Sequence, residues 1–433
     1  MKNVNEREAA VFAMMDIIGE GGYNNIVLNR TLNKMEDVPQ SSKAMITELV
    51  NGSLRNLLLI DYIIGIYSKT PVKKMKPLIK NILRISVYQI MFMDRVPDSA
   101  VCNEAVKLAK DKGFAGLSGF VNGVLRSCAR GKEDIKYPDK AADSAEYLSV
   151  MYSHPKWLVE YWLSFMEEKT VERILKADNE TPELNICVNT VKTTAQELKS
   201  ILNEEGISAE AVHEAPNALA LKGASNLRKL KSFRDGLFHV MDTSSMKAVE
   251  LLGSKQNESL LDLCAAPGGK SFYAAAIMGG KGKIAAMDIH EHKLELIDEG
   301  AKRLGFDIIE AGANDALAEN QAFANSWDKV LLDAPCSGLG TLRKKPDARY
   351  KKSMEDVETL AQIQRSMLKS AAKYPQIDGR LMYSTCTISV KENEENIEWF
   401  LSDYPYELEE QMIILPGKGA GDGFFAACMI RKE

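Results

Sequence analysis

The chain has 433 residues, a hydrophobic fraction of 45% and a formal net charge of −5, which is the composition of a globular protein with about two to four domains. Its N-terminal sequence has no apolar signal region, and no apolar run reaches the roughly 18 residues of a membrane span. The seven cysteines have neither CxxC nor zinc-type spacing, which favours a reducing compartment over a disulfide framework. We therefore expect a cytoplasmic protein with no membrane segment and no metal.

The charge is unevenly distributed along the chain. Residues 1–132 carry 19 Lys and Arg against 12 Asp and Glu, whereas the remainder carries 36 against 48. A basic N-terminal module on an acidic body indicates that one part contacts a polyanion. Basic residues that merely coat a helical surface would give the same counts, so charge alone leaves both interpretations open.

The first 135 residues have the apolar periodicity of helices. Two stripes recur at the i, i+3, i+4, i+7 or i+8 spacing of an amphipathic helix: Val11, Met14, Met15 and Ile18, and Ile46, Leu49, Val50 and Leu54. The Ser41–Ser42 pair offers an N-cap for the second helix. Pro77 stands at the first turn of a segment that is apolar nearly all round, as a central helix would be. We predict an all-α bundle of roughly five to seven helices over residues 1–135.

The middle of the chain changes character twice. Residues 133–155 are polar and interrupted by proline, as in a linker. After a further helical stretch, short strands and helices alternate over residues 183–241 in the order βαββαβ, which predicts a small split-βαβ unit. We place this α+β unit at residues 145–240.

The last third predicts an α/β domain over residues 241–433. Four segments each read as an apolar strand that runs into a loop, most of them followed by a helix, which is typical of a doubly wound, Rossmann-like parallel sheet. Such sheets bind ligands beyond the carboxyl ends of their strands. The residues that suggest chemistry in this chain all lie at those ends.

The first strand end is DLCAAPGGK, from Asp262 to Lys270. Its small residues and two glycines permit a tight turn and a close approach of backbone to ligand. The segment lacks both GxGxxG and GxxxxGK[ST], so by itself it indicates either a cofactor site or a plain turn. Asp288, Asp315 and Asp333 follow at later strand ends, where each alone would serve as well as a helix cap. A carboxylate at the position of Asp288 typically accepts hydrogen bonds from ribose hydroxyls, and four strand-end features with this spacing are hard to explain by chance.

Two cysteines also stand at strand ends, Cys336 in LLDAPCSGLG and Cys386 in YSTCT. Position alone does not separate a reactive thiol from a small buried hydrophobe. An acidic segment that reads as helical follows Cys386. After Cys336 comes TLRKKPDARY, whose cations form either a phosphate-binding cluster or a solvated charge run: Arg343, Lys344, Lys345 and Arg349.

Three segments together carry a family resemblance. DLCAAPGGK, LLDAPCSGLGTLRKKPDARY and YSTCTISVKENE resemble the signature blocks of the Sun (Fmu) family of RNA cytosine-C5 methyltransferases, and the N-terminal region resembles the NusB-like RNA-binding domain of bacterial members. The resemblance covers essentially the whole chain and points to the subgroup that acts on small-subunit (16S) ribosomal RNA. It implies S-adenosylmethionine as cofactor, that RNA as partner, and a covalent cysteine–C6 adduct during methyl transfer.

The resemblance also implies roles for individual residues. The TC cysteine of the family attacks the base and the PC cysteine assists release, which correspond to Cys386 and Cys336. Asp333 would contact N3 and the methionine end of the cofactor, with Lys270 beside it. The implied cofactor-binding residues are Cys264, Ala265, Ala266, Pro267, Gly268, Gly269, Lys270, Asp288, Asp315 and Asp333. DNA cytosine methyltransferases use the PC cysteine as nucleophile, so the paired cysteines favour an RNA enzyme.

RNA contacts are expected in two places: at Arg343, Lys344, Lys345 and Arg349, and on one helix face at Arg126 and Arg130. Asn314-Asp315-Ala316 departs from the Gly-Asp-Gly or His-Asp-Ala of many family members, which leaves the local loop geometry open. We expect a monomer. Two alternatives remain, an RNA-binding antitermination factor whose last domain only binds cofactor, and an enzyme that acts on transfer RNA. Occupied catalytic positions count against the first.

Overall fold

The computed structural model describes residues 5–35, 38–223, 226–417 and 421–433. The chain divides into two compact units. The first comprises Met1–Glu180 and Leu342–Ser353, and the second Thr181–Thr341 and Met354–Glu433. A short segment of the C-terminal half therefore belongs to the N-terminal unit.

The first unit is helical throughout its described residues. Its ten α-helices are α1 (Glu6–Met14), α2 (Asn24–Asn33), α3 (Gln40–Arg55), α4 (Leu57–Tyr67), α5 (Pro77–Phe92), α6 (Asp98–Asp111), α7 (Ser118–Gly131), α8 (Ser144–Tyr152), α9 (Lys156–Leu163) and α10 (Glu168–Ala177). Shorter helical turns lie at Met15–Gly19, Val72–Lys74, Ala115–Leu117, Lys132–Asp134 and Ala348–Tyr350. The predicted helical bundle is confirmed.

The local signals account for most of this bundle. Pro77 is the first residue of α5, and three quarters of that helix is buried, as expected of a central helix. The apolar stripe of α3 is fully buried in the core. The predicted cap at Ser41–Ser42 is wrong, because α3 already begins at Gln40, after Pro39, and has no side-chain cap.

Helices α8 to α10 pack within the first unit. The segment predicted as one unit at residues 145–240 is thus divided, with its helices to residue 180 in the first unit and its strands in the second. No single described helix is both long and apolar enough to cross a membrane, and α3 with α4 meets that test only as a pair bent by 79°.

The second unit alternates strands and helices. Its elements are β1 (Leu184–Val188), α11 (Ala195–Glu204), β2 (Ser208–Ala211), β3 (Ala218–Lys222), α12 (Lys231–Arg234), β4 (Phe238–Val240), α13 (Thr243–Leu252), β5 (Ser259–Asp262), α14 (Gly269–Ile277), β6 (Lys283–Asp288), α15 (Glu291–Leu304), β7 (Ile309–Ala313), β8 (Trp327–Asp333), α16 (Met354–Ala371), β9 (Pro375–Thr385), α17 (Glu394–Asp403), β10 (Tyr406–Ile414) and β11 (Phe424–Arg431). Two short 3₁₀ turns lie at Leu227–Lys229 and Gln321–Phe323.

The smaller sheet has the strand order β2-β3-β1-β4, and every pairing in it is antiparallel. The elements follow one another as βαββαβ, so the predicted split-βαβ unit is confirmed. Its core lies between this sheet and α11, where Leu198 and Leu202 are fully buried.

The larger sheet has seven strands in the order β10-β11-β9-β8-β5-β6-β7. Strands β5 to β9 are parallel neighbours, which confirms the predicted Rossmann-like sheet. Strands β11 and β10 add an antiparallel edge that the sequence patterns did not predict. Because the carboxyl ends of parallel strands meet at one edge, the loops after β5, β6, β8 and β9 lie side by side.

Candidate active site

The loop after β5, here called the cofactor loop (residues 263–269), is fastened to the ends of two neighbouring strands. The Leu263 amide donates to the Leu331 carbonyl at 2.9 Å, and the Ala265 amide donates to the Met287 carbonyl at 2.8 Å. The Ala266–Pro267 peptide bond is cis. The two hydrogen bonds of Leu263 and Ala265 place the loop over the carboxyl edge of the sheet.

Gly268 ends the cofactor loop in a conformation that requires glycine. Its φ is +102°, and a Cβ atom there would lie 2.3 Å from the ring of Phe272. The next residue, Gly269, accepts a hydrogen bond at 3.2 Å from Nε2 of His239. Burial lowers the pKa of His239 to about 4, so this imidazole is neutral and acts as a fixed donor. Sequence reasoning missed His239, which is a lone histidine inside a strand.

Asp288 and Asp315 have different positions. Asp288 is buried at the end of β6, where it accepts hydrogen bonds from the amides of Ala266 (3.3 Å) and His290 (2.9 Å). It therefore holds the cofactor loop directly. Asp315 is exposed on the loop after β7 and accepts from the Leu317 amide at 2.9 Å. Neither Asp288 nor Asp315 is among the residues that line the cavity described next.

A cavity of about 180 Å³ opens beside the cofactor loop. Its walls are Val240, Met241, Asp242, Ser245, Asp262, Cys264, Ala265, Ala266, Pro267, Gly269, Lys270 and Asp333. The first four come from the junction of β4 with α13, which sequence reasoning did not single out. A sequence signal for this wall was present, because Asp242 stands between a strand and a helix, as the other strand-end aspartates do. Asp242 caps α13 by accepting from the Ser244 amide at 3.0 Å.

The cavity suits a ligand that is both cationic and rich in hydrogen-bond donors. Asp262 lies on its wall and is 1% exposed, and its Oδ1 atom has no partner among the described residues. Burial, with the nearby Asp333 charge, raises the pKa of Asp262 to about 7. A positive ligand group would satisfy this acid. S-adenosylmethionine fits this description, because its ammonium and sulfonium groups carry positive charge and its ammonium and ribose hydroxyls donate hydrogen bonds. Among the described residues, no group of three or more His, Cys, Asp or Glu is placed to hold a metal ion.

Cys336 and Cys386 are brought together by neighbouring strands. Cys336 lies in the loop after β8 (residues 334–341, the Cys336 loop) and Cys386 in the loop after β9 (residues 386–393, the Cys386 loop). Their sulfur atoms are 3.4 Å apart, and both side chains are half-buried. The hydrogen bond to Cys386 and burial raise the pKa of Cys336 well above its ordinary value. Cys336 is therefore held as a thiol.

Lys270 and Asp333 form an ion pair beside the two thiols. Lys270 Nζ lies 2.6 Å from Asp333 Oδ2, and the Ser384 hydroxyl donates to Asp333 Oδ1 at 2.8 Å. Burial opposes the charge of Lys270, but Asp333, Asp262 and a Cys386 thiolate together raise its pKa. Lys270 thus keeps its charge next to Cys386. The structure brings all four predicted catalytic residues to one place, and their roles stay predictions.

The remaining cysteines lie apart from this pair. Cys264 is half-buried in the cofactor loop, and burial raises the pKa of its thiol. The other four are buried in hydrophobic cores: Cys102, Cys128, Cys187 and Cys428. Such burial is typical of thiols that act as small hydrophobic side chains.

The predicted phosphate contact of Arg349 is wrong. Arg349 is fully buried within the first unit. Its guanidinium donates to Asn179 Oδ1 at 2.8 Å and to the Asp178 carbonyl at 3.1 Å. Arg343 is also buried, at 4% exposed, which contradicts its predicted phosphate contact as well. Lys344 and Lys345 are exposed in the same segment, and RNA contacts by them stay predictions.

Arg126 and Arg130 lie on one exposed face of α7, one helical turn apart. The Arg126 guanidinium donates to Asn122 Oδ1 at 3.0 Å, on the same face. Both arginines are thus available at the surface of the helical unit. Their contact with RNA stays a prediction.

Sequence reasoning also missed a buried carboxylate behind the thiols. Glu392, within the acidic segment that was read as helical, is fully buried in the turn before α17. It accepts from the Ser337 amide at 2.9 Å, next to Cys336. No local pattern separates this glutamate from its exposed neighbours.

Comparisons with protein families divide the chain in three. Residues 249–430 match the model described as 16S rRNA methyltransferase RsmB/F. Residues 4–130 match the NusB family, and residues 154–228 match a ferredoxin-like domain of RsmF/B-like methyltransferases. Together the three matches extend over most of the chain.

Individual proteins resemble the chain over its full length. It is 36% identical to the probable ribosomal RNA small subunit methyltransferase B of Bacillus subtilis, with 100% of each chain covered. The crystal structure of PH0851 superposes with a TM-score of 0.81 at 26% identity, covering 99% of both chains. That of a methyltransferase homolog protein from Pyrococcus horikoshii gives 0.59 at 26% identity, covering 67% of this chain and 99% of the other.

Proposed function

Because the chain belongs to the 16S rRNA methyltransferase RsmB/F family, we propose that it methylates C5 of a cytosine in 16S ribosomal RNA through a covalent adduct with Cys386. It is an S-adenosylmethionine-dependent methyltransferase with a NusB-like helical domain. We place the positioning of RNA in residues 1–135 and 145–240, and the chemistry in residues 241–433.

The chemistry requires a nucleophilic sulfur, because C5 of cytosine does not attack a methyl donor by itself. Addition of the Cys386 thiolate to C6 makes C5 enamine-like and therefore nucleophilic. S-adenosylmethionine supplies the electrophilic methyl group. Transfer of the methyl group to C5 leaves S-adenosylhomocysteine. Solvent, acting as the base, then takes the C5 proton, the electrons of that C–H bond form the C5=C6 double bond, and the Cys386 sulfur leaves C6 as thiolate.

The neighbouring residues support each stage. The Lys270–Asp333 pair lies beside Cys386, where it balances the charge that builds on N3 while the sulfur is bonded to C6. Lys270 also stabilises the thiolate before attack. The Cys336 thiol, 3.4 Å from Cys386, donates a hydrogen bond to the sulfur as it leaves. The target base has to leave its helical stack to reach this site.

The observation that carries the proposal is the pair of sulfur atoms 3.4 Å apart, near the Lys270–Asp333 pair that lines the cavity. A nucleophile needs a polar, partly accessible setting, and a structural thiol pair does not need an ion pair beside it. Two half-buried thiols next to a lysine–aspartate pair match an attack-and-release mechanism.

Adduct trapping tests the assignment. With 16S RNA and S-adenosylmethionine, Cys336→Ala should accumulate a gel-stable protein–RNA adduct, since release is impaired. Cys386→Ala should give neither adduct nor 5-methylcytosine. The buried Cys102, in the helical unit, provides a matched control as Cys102→Ala. Bisulfite sequencing reads the product, and methylation that survived in Cys386→Ala would refute the proposed nucleophile.

The alternative is an RNA-binding factor whose methyltransferase fold only binds the cofactor. The matched NusB domain favours RNA binding. Transfer of a labelled methyl group from S-adenosylmethionine to 16S RNA separates the two functions. RNA binding without any transfer would favour the alternative, and transfer to transfer RNA alone would change the substrate.

A further inference from the structure

Glu392 joins the two loops that carry the thiols. Its Oε2 atom accepts from the Ser337 amide at 2.9 Å and from Gln364 Nε2 at 3.0 Å, and its Oε1 atom accepts from the Ser337 hydroxyl at 2.5 Å. Ser337 directly follows Cys336, and Glu392 belongs to the Cys386 loop. One side chain thus spans both loops.

Thr387 closes the same connection from the other side. Its hydroxyl lies 2.6 Å from the Ser337 hydroxyl and accepts from the Leu339 amide at 3.3 Å. Thr387 directly follows Cys386. The residues that follow the two cysteines are therefore hydrogen-bonded to each other, and Ser337 is also hydrogen-bonded to Glu392.

The backbone of Glu392 is fixed as firmly as its side chain. Its carbonyl accepts from the Tyr383 hydroxyl at 2.6 Å and from Asn396 Nδ2 at 3.0 Å. The Gln364 side chain adds a bond to the Pro335 carbonyl at 3.0 Å, at the start of the Cys336 loop. This carboxylate therefore has little freedom to move.

A buried carboxylate that has only neutral donors is costly for a fold. The side-chain partners of Glu392 are an amide N–H, a hydroxyl and a glutamine N–H. A hydrophobic residue in this place would avoid the desolvation of the charge. This desolvation cost has a reason if the hydrogen bonds of Glu392 to Ser337 and Gln364 are needed to hold the two loops.

We propose that Glu392 is a positioning residue that holds Cys336 at its distance from Cys386. The proposal rests on the function proposed above, in which both thiols act on one base. Two loops that end separate strands have no covalent reason to keep their sulfur atoms in contact. Thr387 and the Gly340 amide, which donates to the Cys386 carbonyl at 3.1 Å, join the loops beyond Cys336, and Glu392 adds the connection at Ser337, directly beside it. Its negative charge also raises the pKa of Cys336, after the larger effects of Cys386 and burial.

Cross-linking of the two thiols tests the geometry without RNA. Dibromobimane becomes fluorescent once both of its arms have alkylated thiols, and peptide mapping identifies the linked pair. The unmodified protein should link Cys336 to Cys386, and Cys336→Ser should not. Glu392→Ala should lose most of this linkage. Glu395→Ala, an exposed glutamate three residues away, should keep it.

Glu392→Gln distinguishes the bonds from the charge. Its amide oxygen can accept from the Ser337 amide, and its NH₂ group can donate to the Ser337 hydroxyl, so linkage should be retained. In methyl transfer, Glu392→Ala should lower kcat by about 100-fold, the effect of a displacement near 1 Å, with unchanged affinity for S-adenosylmethionine. Glu392→Gln should stay close to the unmodified enzyme.

Linkage and kcat that are unchanged in Glu392→Ala would overturn the proposal, as would a loss in Glu392→Gln as large as in Glu392→Ala. Should the alanine variant fail to fold, Glu392→Asp replaces it. This variant withdraws the carboxylate by one methylene, and full linkage in it would overturn the proposal. A protein that links its thiols through Glu392 but never methylates cytosine would refute the proposed function alone.

Discussion

Asp262 illustrates how a single residue carries both stability and binding. It ends β5 beneath the cofactor loop, accepts from the Ser271 hydroxyl at 2.7 Å and leaves Oδ1 without a partner among the described residues. Burial disfavours its charged form and raises its pKa to about 7. Without a ligand, and between about pH 4 and pH 7, the folded protein therefore keeps a proton on Asp262 that an unfolded chain has released.

This shift predicts a pH-dependent stability. With a folded pKa of about 7, the contribution of Asp262 is complete below its unfolded pKa, near 4, and is lost as the pH rises to 7. Between pH 5 and 7 the free energy of unfolding should fall by roughly 2 kcal/mol relative to Asp262→Asn, which cannot ionise. Urea unfolding of both proteins across this range measures the difference. A constant difference would contradict the shifted pKa.

Gly268 and Gly269 form a matched pair of adjacent glycines. Gly268→Ala should lower the free energy of unfolding by at least about 1 kcal/mol and weaken S-adenosylmethionine binding, because its φ is positive and the new Cβ would meet the Phe272 ring. Gly269→Ala meets nothing within 4 Å and should change the free energy of unfolding little. Thermal unfolding and calorimetric titration test both, and equal effects would contradict the steric argument.

The sequence indicated the reacting residues better than the residues that support them. Cys336 and Cys386 stood out at strand ends, where parallel strands bring side chains together, but their roles came from the family resemblance. Glu392 and Arg349 were misjudged because a charged residue reads as exposed until its partners are known. Ser337 lies 55 residues from Glu392, and Asp178 lies 171 residues from Arg349, beyond any local pattern.

At the scale of elements, the segment 342–353 is the most unusual. It leaves the methyltransferase unit directly after the Cys336 loop and is packed into the helical unit. Besides Arg349, Tyr350 fastens it, since the Tyr350 hydroxyl donates to the carbonyls of Leu54 at 2.8 Å and Ser153 at 2.9 Å. The segment therefore completes the polar interior of the helical unit.

Arg349→Met should destabilise the helical unit by roughly 3 kcal/mol, because several buried acceptors, among them the Asp178 carbonyl and Asn179 Oδ1, lose their donor. Arg349→Lys should not restore the stability, since an ammonium cannot reproduce the planar fork of donors. Lys345→Met, which is exposed in the same segment, is the control. Thermal unfolding provides the measurement, and a Met variant as stable as the control would contradict the role.

The elements themselves were largely predictable. The parallel strands and their helices follow from local alternation, because each strand–loop–helix repeat is contained in one stretch of sequence. The antiparallel edge of the larger sheet was not predictable, because β11 joins that sheet by pairing with β9, about 40 residues earlier in the chain. A pairing of that kind leaves no trace in periodicity.

At the scale of the whole molecule, charge separates the helical region from the remainder. Residues 1–132 carry an excess of seven positive charges. Arg126→Ala with Arg130→Ala should weaken 16S RNA binding and reduce the slope of log affinity against log salt by up to about 2, one unit for each lost phosphate contact. Affinity for S-adenosylmethionine should not change.

The control for the arginine pair is Lys281→Ala with Lys283→Ala, which removes the same charge from exposed positions at the amino end of β6. Its salt slope should match that of the unmodified protein. Equal slopes in the two double variants would show that RNA responds to total charge rather than to the α7 face. Nitrocellulose filter binding over a range of potassium chloride concentrations measures all three.

The borrowed stretch at 342–353 means that no single cut separates this protein into its halves. A fragment that stops at residue 180 lacks Arg349 and Tyr350, which donate to the carbonyl oxygens of Asp178, Leu54 and Ser153. A synthetic peptide of residues 342–353 should then restore the stability of the fragment. Exchange of the N-terminal helical unit between relatives would likewise give a stable protein only if residues 342–353 are exchanged with it.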